Sequence, residues 1–269
     1  DESAKAQVAI SKSPCHRGFF AMRAEMLSTL GDLKEGLDIG RELAPDHPLY
    51  LQTELHGPNQ WPPMQGGEEE DAEFKAVCLE YFEQVSALAL RILSAFALAL
   101  DLPADFFSVR CRDPMAALRL LHYPPQNPQA VSRDEVGCGA HTDYGCITVL
   151  AQDTQGGLQV WSGEKWVAAP PVQGTFVVNI GDMMGIWTNN HYRATVHRVV
   201  NLSGGERYSI PFFFNPDFDT KVAPLGQFQE DGGDVMPSVT CGTHLVSRFD
   251  SSFKYRTAPT PSAETPTPG

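Results

Sequence analysis

From Pro114 onward the chain is cut into short runs rich in β-branched and aromatic residues, each bounded by Gly, Pro or Asn, and this punctuation limits the possible folds more than any other feature. Strands are expected near 116–123, 139–151, 157–161, 165–168, 174–180, 192–200 and 206–214, with a hairpin turn at Ser162-Gly163-Glu164. Short, regularly interrupted runs build antiparallel sandwiches or barrels. The expectation is a mainly β chain with flanking helices and a jelly-roll core over 115–256.

Residues 1–114 read as a helical and loop region covering that core. From Asp71 to Leu100 apolar residues recur at Phe74, Val77, Tyr81, Val85, Leu88, Ile92 and Phe96, steps of three and four that predict one long amphipathic helix ending before Pro103. Its most apolar stretch, Val85 to Leu100, contains Arg91 and is shorter than the ~20 apolar residues of a membrane span. The residues from 257 to 269 are rich in Pro, Thr and Ser with little to bury, so a disordered tail is expected.

A formal net charge of −13 without a Lys/Arg cluster argues against nucleic acid as a partner. Six cysteines lie far apart with no C-x-x-C, which suggests neither a structural zinc site nor a disulfide framework and points to a reducing compartment. The sequence shows no basic segment followed by an apolar run at its start, so the expected location is cytoplasmic, with no membrane partner.

The chemistry-bearing residues fall in the expected strands. On a strand, residues two apart share a face, so His141 and Asp143 can direct an imidazole and a carboxylate at one point. His197, within Thr195-Val196-His197-Arg198-Val199-Val200, is the candidate third ligand; His191 is the rival, but it follows Asn189-Asn190, which reads as a turn. Two imidazoles and a carboxylate on one face of an octahedral ion leave the other face open, which suits iron(II) binding O2 and an oxidisable ligand together. Ten residues on, Arg207 and Ser209 share a strand face, and a guanidinium with a neighbouring hydroxyl is an anchor for the far carboxylate of a dicarboxylate such as 2-oxoglutarate. The bland alternative for Arg207 is a pair with the adjacent Glu206. Tyr123 and Phe213 have the parity to face the same cavity, where they would contact co-substrate and substrate respectively, although strand aromatics are more often core.

His141-Thr142-Asp143, His197-Arg198-Val199 and Arg207-Tyr208-Ser209 together resemble the motifs of the iron(II)/2-oxoglutarate-dependent dioxygenases related to isopenicillin N synthase. The segments Gly31 to Gly36, Gly156 to Val160, Asn179-Ile180-Gly181-Asp182 and Ile210 to Phe213 are similar to the family in order and spacing, so the resemblance covers about 17–256. It implies a double-stranded β-helix of cupin-like form, iron(II), O2, and oxidation of a small organic substrate coupled to conversion of 2-oxoglutarate to succinate and CO2. It also implies a first strand-helix-strand segment that this sequence does not include. Many plant members carry Asn at the position of Leu121, whereas an aliphatic residue there is similar to isopenicillin N synthase. That makes Leu121 a candidate pocket residue and keeps open an oxidase of the isopenicillin N synthase or aminocyclopropane-carboxylate oxidase type, which needs no 2-oxoglutarate; the absent first segment leaves a further alternative, a non-catalytic jelly-roll binding protein.

Overall fold

The computed structural model describes residues 1–126, 136–201, 203–229 and 233–257. In chain order its elements are α1 (Glu2–Gln7), β1 (Gly18–Phe20), β2 (Glu35–Gly40), α2 (Glu68–Ala99), β3 (Ala117–Tyr123), β4 (Cys138–His141), β5 (Ile147–Gln152), β6 (Leu158–Trp161), β7 (Trp166–Ala168), β8 (Val177–Ile180), α3 (Asp182–Trp187), β9 (His197–Val199), β10 (Arg207–Phe214), β11 (Lys221–Val222), β12 (Val239–Thr240) and α4 (Cys241–Ser252). A six-stranded sheet, in the order β1-β2-β3-β10-β5-β8, and a four-stranded sheet, β4-β9-β6-β7, have antiparallel pairings throughout. This is the jelly-roll architecture expected from the strand punctuation, a double-stranded β-helix with flanking helices.

Three expectations about elements need correction. The single strand expected over 139–151 is two strands in different sheets: β4 ends at His141, and the chain crosses through 142–146 to start β5 in the large sheet. The crossing is held by Cys146 N–H donating to Asn215 Oδ1 at 2.8 Å and Asp182 N–H donating to the Asp143 carbonyl at 2.8 Å. Second, residues before 114 do more than cover: β1 and β2 extend the large sheet, with β2 paired to β3 through Asp38↔Arg119. β1 is only three residues long, and β2 intersperses Glu35 and Asp38 with Gly36 and Gly40, patterns that hide a strand. Third, strand character at 192–200 is confined to 197–199.

The long helix is present, but its buried stripe is Cys78, Phe82, Val85, Ala89, Leu93 and Ala97, whereas Val77 is 59% exposed. The C-terminal half of α2 is apolar on nearly every side, so periodicity alone did not select the buried face. Packing selects it. Phe82 meets Phe212 of β10 edge to face at 5.0 Å, and Ala89 and Ala97 let the helix lie close to the sheet. At 32 residues α2 is the one described helix long and apolar enough to cross a membrane by length and composition, and its stripe is packed here against the sheet. Four acidic residues in its first turn complement the helix dipole.

The Ser162-Gly163 turn closes the β6–β7 hairpin, with Gly163 at φ 98° and Trp161 opposite Trp166. Trp161 and Trp166 pack edge to face, and Trp187 is buried, consistent with structural roles. All six cysteines are buried and unpaired. The expected tail lies, beyond Thr257, outside the described residues.

Candidate active site

The site grows from the alternation of β10. Arg207, Ser209, Pro211 and Phe213 point into a cavity between the sheets, while Phe212 and Phe214 point the other way, into the core beneath α2. Arg207 is fully buried. Its Nε donates to the Gly156 carbonyl at 2.6 Å, one Nη to Gln152 Oε1 at 3.0 Å and the other to Ser209 Oγ at 3.3 Å. Every one of these partners is neutral, and Glu206 is engaged elsewhere, accepting from the Tyr208 hydroxyl at 2.7 Å. Directly across the strands, the Tyr123 ring lies 4.7 Å from the guanidinium. Burial pushes the Tyr123 phenol above its ordinary pKa, so it is a neutral hydrogen-bonding group. Leu121 stands opposite Ser209 and contributes an aliphatic wall to the cavity.

His141 and His197 come from the small sheet. They are cross-strand partners on β4 and β9, with ring centroids 4.3 Å apart. Asp143 joins them from the loop after β4, not from a strand, so the convergence rests on the pinned crossing rather than on strand alternation. Its Oδ1 is 3.8 Å from His141 Nε2 and 3.6 Å from His197 Nε2, and one ligand atom from each residue lies within 4.8 Å of the others. His141 Nδ1 lies 2.8 Å from the Gly139 carbonyl and His197 Nδ1 3.0 Å from the Thr195 carbonyl. A carbonyl only accepts, so both Nδ1 atoms carry the proton and both Nε2 lone pairs face the shared point. Burial first, then the nearness of the second imidazole, which disfavours a proton on both rings at once, holds His197 below its ordinary pKa and favours the neutral ligand form. Asp143 Oδ2 is buried without a hydrogen-bond partner. A donor set of this kind fits a divalent ion with three open positions.

His191 is not part of the cluster; it stacks on Phe228. Phe213 lines the cavity as its parity required, half-buried, with the Arg119 guanidinium 5.5 Å from its ring. What sequence reasoning missed is a buried ionic network along the opposite wall. Lys34 bridges Glu25 and Asp32, at 2.8 Å to each, and Arg119 joins Asp38 at 2.6 Å and Glu25 at 3.2 Å. Burial would raise the Glu25 carboxyl, but Lys34 and Arg119 outweigh it and hold the pKa at about 2. Lys34 also lies 3.0 Å from Cys138 Sγ, three residues before the first candidate ligand. The only sequence trace of this network was the alternation of Asp32 with Lys34 in the segment already noted at 31–36.

Comparison with known proteins gives a consistent picture. Residues 114–216 match the 2OG-Fe(II) oxygenase superfamily, and residues 1–64 match the non-haem dioxygenase in morphine synthesis N-terminal family. The 2-oxoglutarate-Fe(II) type oxidoreductase hxnY of Emericella nidulans is 44% identical over 216 residues, which are 78% of this chain and 61% of the relative. The chain therefore spans less than two thirds of that relative's length. Homoarginine-6-hydroxylase of Glycine max is 36% identical over 258 residues, covering 93% of this chain and 76% of its own length. Among solved structures, a Neurospora crassa protein crystallised with alpha-KG and thymine superposes with a TM-score of 0.79 at 31% identity, covering 93% of this chain and 78% of that one.

Proposed function

The chain belongs to the 2OG-Fe(II) oxygenase superfamily, and on that premise we propose that it is an Fe(II)- and 2-oxoglutarate-dependent dioxygenase acting on a small organic molecule. In the overall reaction O2 and 2-oxoglutarate give succinate and CO2, one oxygen atom entering the succinate, while the other either turns a substrate C–H bond into C–OH or leaves as water with a pair of substrate hydrogens. The observation that carries the reading is Arg207, a fully buried guanidinium with only neutral partners, on the same face as Ser209 and inside the cavity that holds the His141, Asp143 and His197 cluster. A buried cation without a counter-ion is costly, and the carboxylate of a bound co-substrate would supply one.

In this reading His141, Asp143 and His197 hold iron(II), which when bound supplies the site where O2 and the co-substrate's 2-oxo acid group react. Arg207 binds the far carboxylate, Ser209 adds a hydroxyl, and the neutral Tyr123 phenol closes the end of the pocket against water. Leu121 and Leu150 form the apolar walls between anchor and metal cluster. The related proteins support a small-molecule substrate: one is named for homoarginine and another was crystallised with thymine. Unpaired buried cysteines agree with a reducing, cytoplasmic setting.

One observation favours a second reading. Leu121, opposite Ser209, offers no amide to orient a 2-oxo acid, as in oxidases of the isopenicillin N synthase type, where the Arg-x-Ser pair would instead hold a substrate carboxylate. Anaerobic addition of iron(II) and then 2-oxoglutarate separates the two. The dioxygenase reading expects a weak visible charge-transfer band and, in air with substrate, succinate release. Confirmed iron binding with no band would favour the oxidase.

A further inference from the structure

Arg207 is not the only buried guanidinium on the cavity wall that lacks a counter-ion. Arg17, in the loop that leads into β1, lines the same cavity and is more than nine-tenths buried. Its Nη groups donate to the His16 and Leu55 carbonyls at 3.0 Å, and its Nε is buried without a partner, so three of its five N–H donors are unused among the described residues. Burial disfavours the charge, yet a guanidinium keeps its proton. The group rests against Gly40, where a side-chain Cβ would fall on its atoms, so its position is fixed by the fold.

The carboxylates of the wall are committed elsewhere. Asp38 accepts from Arg119 through both oxygens, at 2.6 and 2.9 Å, and Glu25 is shared by Lys34 and Arg119. Asp32 accepts from Lys34 and also from the main-chain N–H groups of Ser28 and Gly139, at 3.0 Å each. The three carboxylates exceed Lys34 and Arg119 by one charge, and the two main-chain donors on Asp32 take up that excess. Of the three, only Asp38 bears on Arg17 electrostatically, and it does so without ion-pair contact.

Strand register places this charge far from the co-substrate anchor. Arg207 is opposite Tyr123 on β3, whereas Gly40, on which Arg17 rests, is opposite Ala117. The stretch of β3 between these two points is roughly 20 Å at about 3.3 Å per residue, far longer than 2-oxoglutarate. His16 adds a neutral donor beside Arg17. The Tyr255 phenol accepts from Arg256 and so gives its own proton to His16 Nδ1, which leaves the imidazole proton on Nε2; that atom is buried without a partner. Burial, with Arg119 and Arg17 nearby, keeps the ring uncharged.

A buried cation with unused donors is matched by an anion that arrives with the ligand, and the planar fork suits a carboxylate. We propose that the primary substrate is a small molecule bearing a carboxylate, and that Arg17, with His16 beside it, binds that group at the end of the cavity remote from Arg207. The uncharged part of the substrate is then left to face the metal cluster. The proposal rests on the co-substrate reading above, since that reading occupies Arg207 and leaves Arg17 as the unpaired cation.

The test uses the protein loaded anaerobically with iron(II) and 2-oxoglutarate, probed with three size-matched compounds: phenylbutyrate, phenylbutyramide and phenylbutylammonium. Melting temperature reports binding, and the visible band reports that 2-oxoglutarate stays in place. Phenylbutyrate should stabilise the protein with a midpoint about tenfold or more below those of the other two while the band persists. An equal response to all three, a preference for the amide or the ammonium, or a carboxylate response that erases the band by displacing 2-oxoglutarate overturns the proposal. Arg17→Gln should bring the carboxylate and amide midpoints within about threefold of each other and leave the 2-oxoglutarate midpoint as it was. A purely structural loss would weaken both probes alike, so the ratio of their midpoints isolates recognition. Should Arg17→Gln not fold, Gly40→Ala displaces the guanidinium without deleting it and should lower the same ratio. A ratio unchanged in the variant that folds removes Arg17 from recognition. Failure of the visible band to form in the starting protein would be a failure of the co-substrate reading; a band without carboxylate preference is a failure of this inference alone.

Discussion

His141 and His197 face each other across the antiparallel pair β4 and β9, ring centroids 4.3 Å apart, and each is locked by an Nδ1 hydrogen bond to a main-chain carbonyl two residues earlier in its own segment. Two strands of one sheet thus set the separation and tautomer of both imidazoles before any ion arrives. The carboxylate of Asp143 comes from outside that sheet, which makes its position the more easily disturbed.

His197→Ala removes one of three donors and leaves Asp143 facing a single imidazole. Iron(II) affinity should fall by more than the ~10–100-fold typical of losing a group that only orients a ligand. Stabilisation of the protein by added iron(II), followed by melting temperature, checks this; a variant stabilised as strongly as the starting protein would remove His197 from the ligand set.

Gly145 tests the crossing that carries Asp143. A Cβ at this position would lie inside the van der Waals shell of Asn215 Oδ1, which also accepts from Cys146 N–H. Gly145→Ala should therefore destabilise the fold by about 1–3 kcal/mol, as overpacking does, and weaken iron(II) binding although no ligand is altered. Chemical denaturation and metal titration measure the two effects separately, and an unchanged metal affinity would show that the loop can move without carrying Asp143 with it.

Arg207→Ala leaves Ser209 and Tyr123 in place but deletes the charge-assisted bonds to the co-substrate. With each such bond worth about 1.5–3 kcal/mol, the 2-oxoglutarate midpoint should rise by at least ~10-fold while iron(II) affinity is retained. Arg207→Lys keeps the charge but not the planar fork, so it should recover part of the loss. An unchanged midpoint in Arg207→Ala would refute the anchoring role.

The parts of this site that could be read from sequence are those set by neighbours along the chain. Arg207 and Ser209 share a face because they are two residues apart on one strand, and that spacing survives whatever the tertiary fold does. His141 and Asp143 were brought together for a different reason from the one their spacing suggested, since the strand ends at His141. The ionic wall was not legible because its members are brought together only by the sheet: Arg119 meets Asp38 from 81 residues away and Glu25 from 94. Charged residues on short, glycine-containing runs look solvated, and only the pairing of β2 with β3 shows that they are buried. The face of α2 was hidden for the opposite reason, an excess of apolar residues around the helix.

That ionic wall predicts an acid sensitivity with a defined sign. Glu25 is fully buried in side-chain contact with Lys34 and Arg119, and its carboxyl is held at about 2, below the ordinary value of 4.5. A carboxyl depressed in the folded state stabilises the protein fully above its unfolded pKa, and that contribution is lost as pH falls through the folded one. Stability should therefore decline between about pH 4.5 and pH 2 through this group. Glu25→Gln should remove its share of the decline while lowering stability at neutral pH by about 3–5 kcal/mol, because two buried cations lose a shared partner. Urea unfolding at a series of pH values measures both effects. A variant with the same acid slope as the starting protein would show that the slope comes from other carboxylates, and one with undiminished stability at pH 7 would show that Asp32 and Asp38 alone neutralise Lys34 and Arg119.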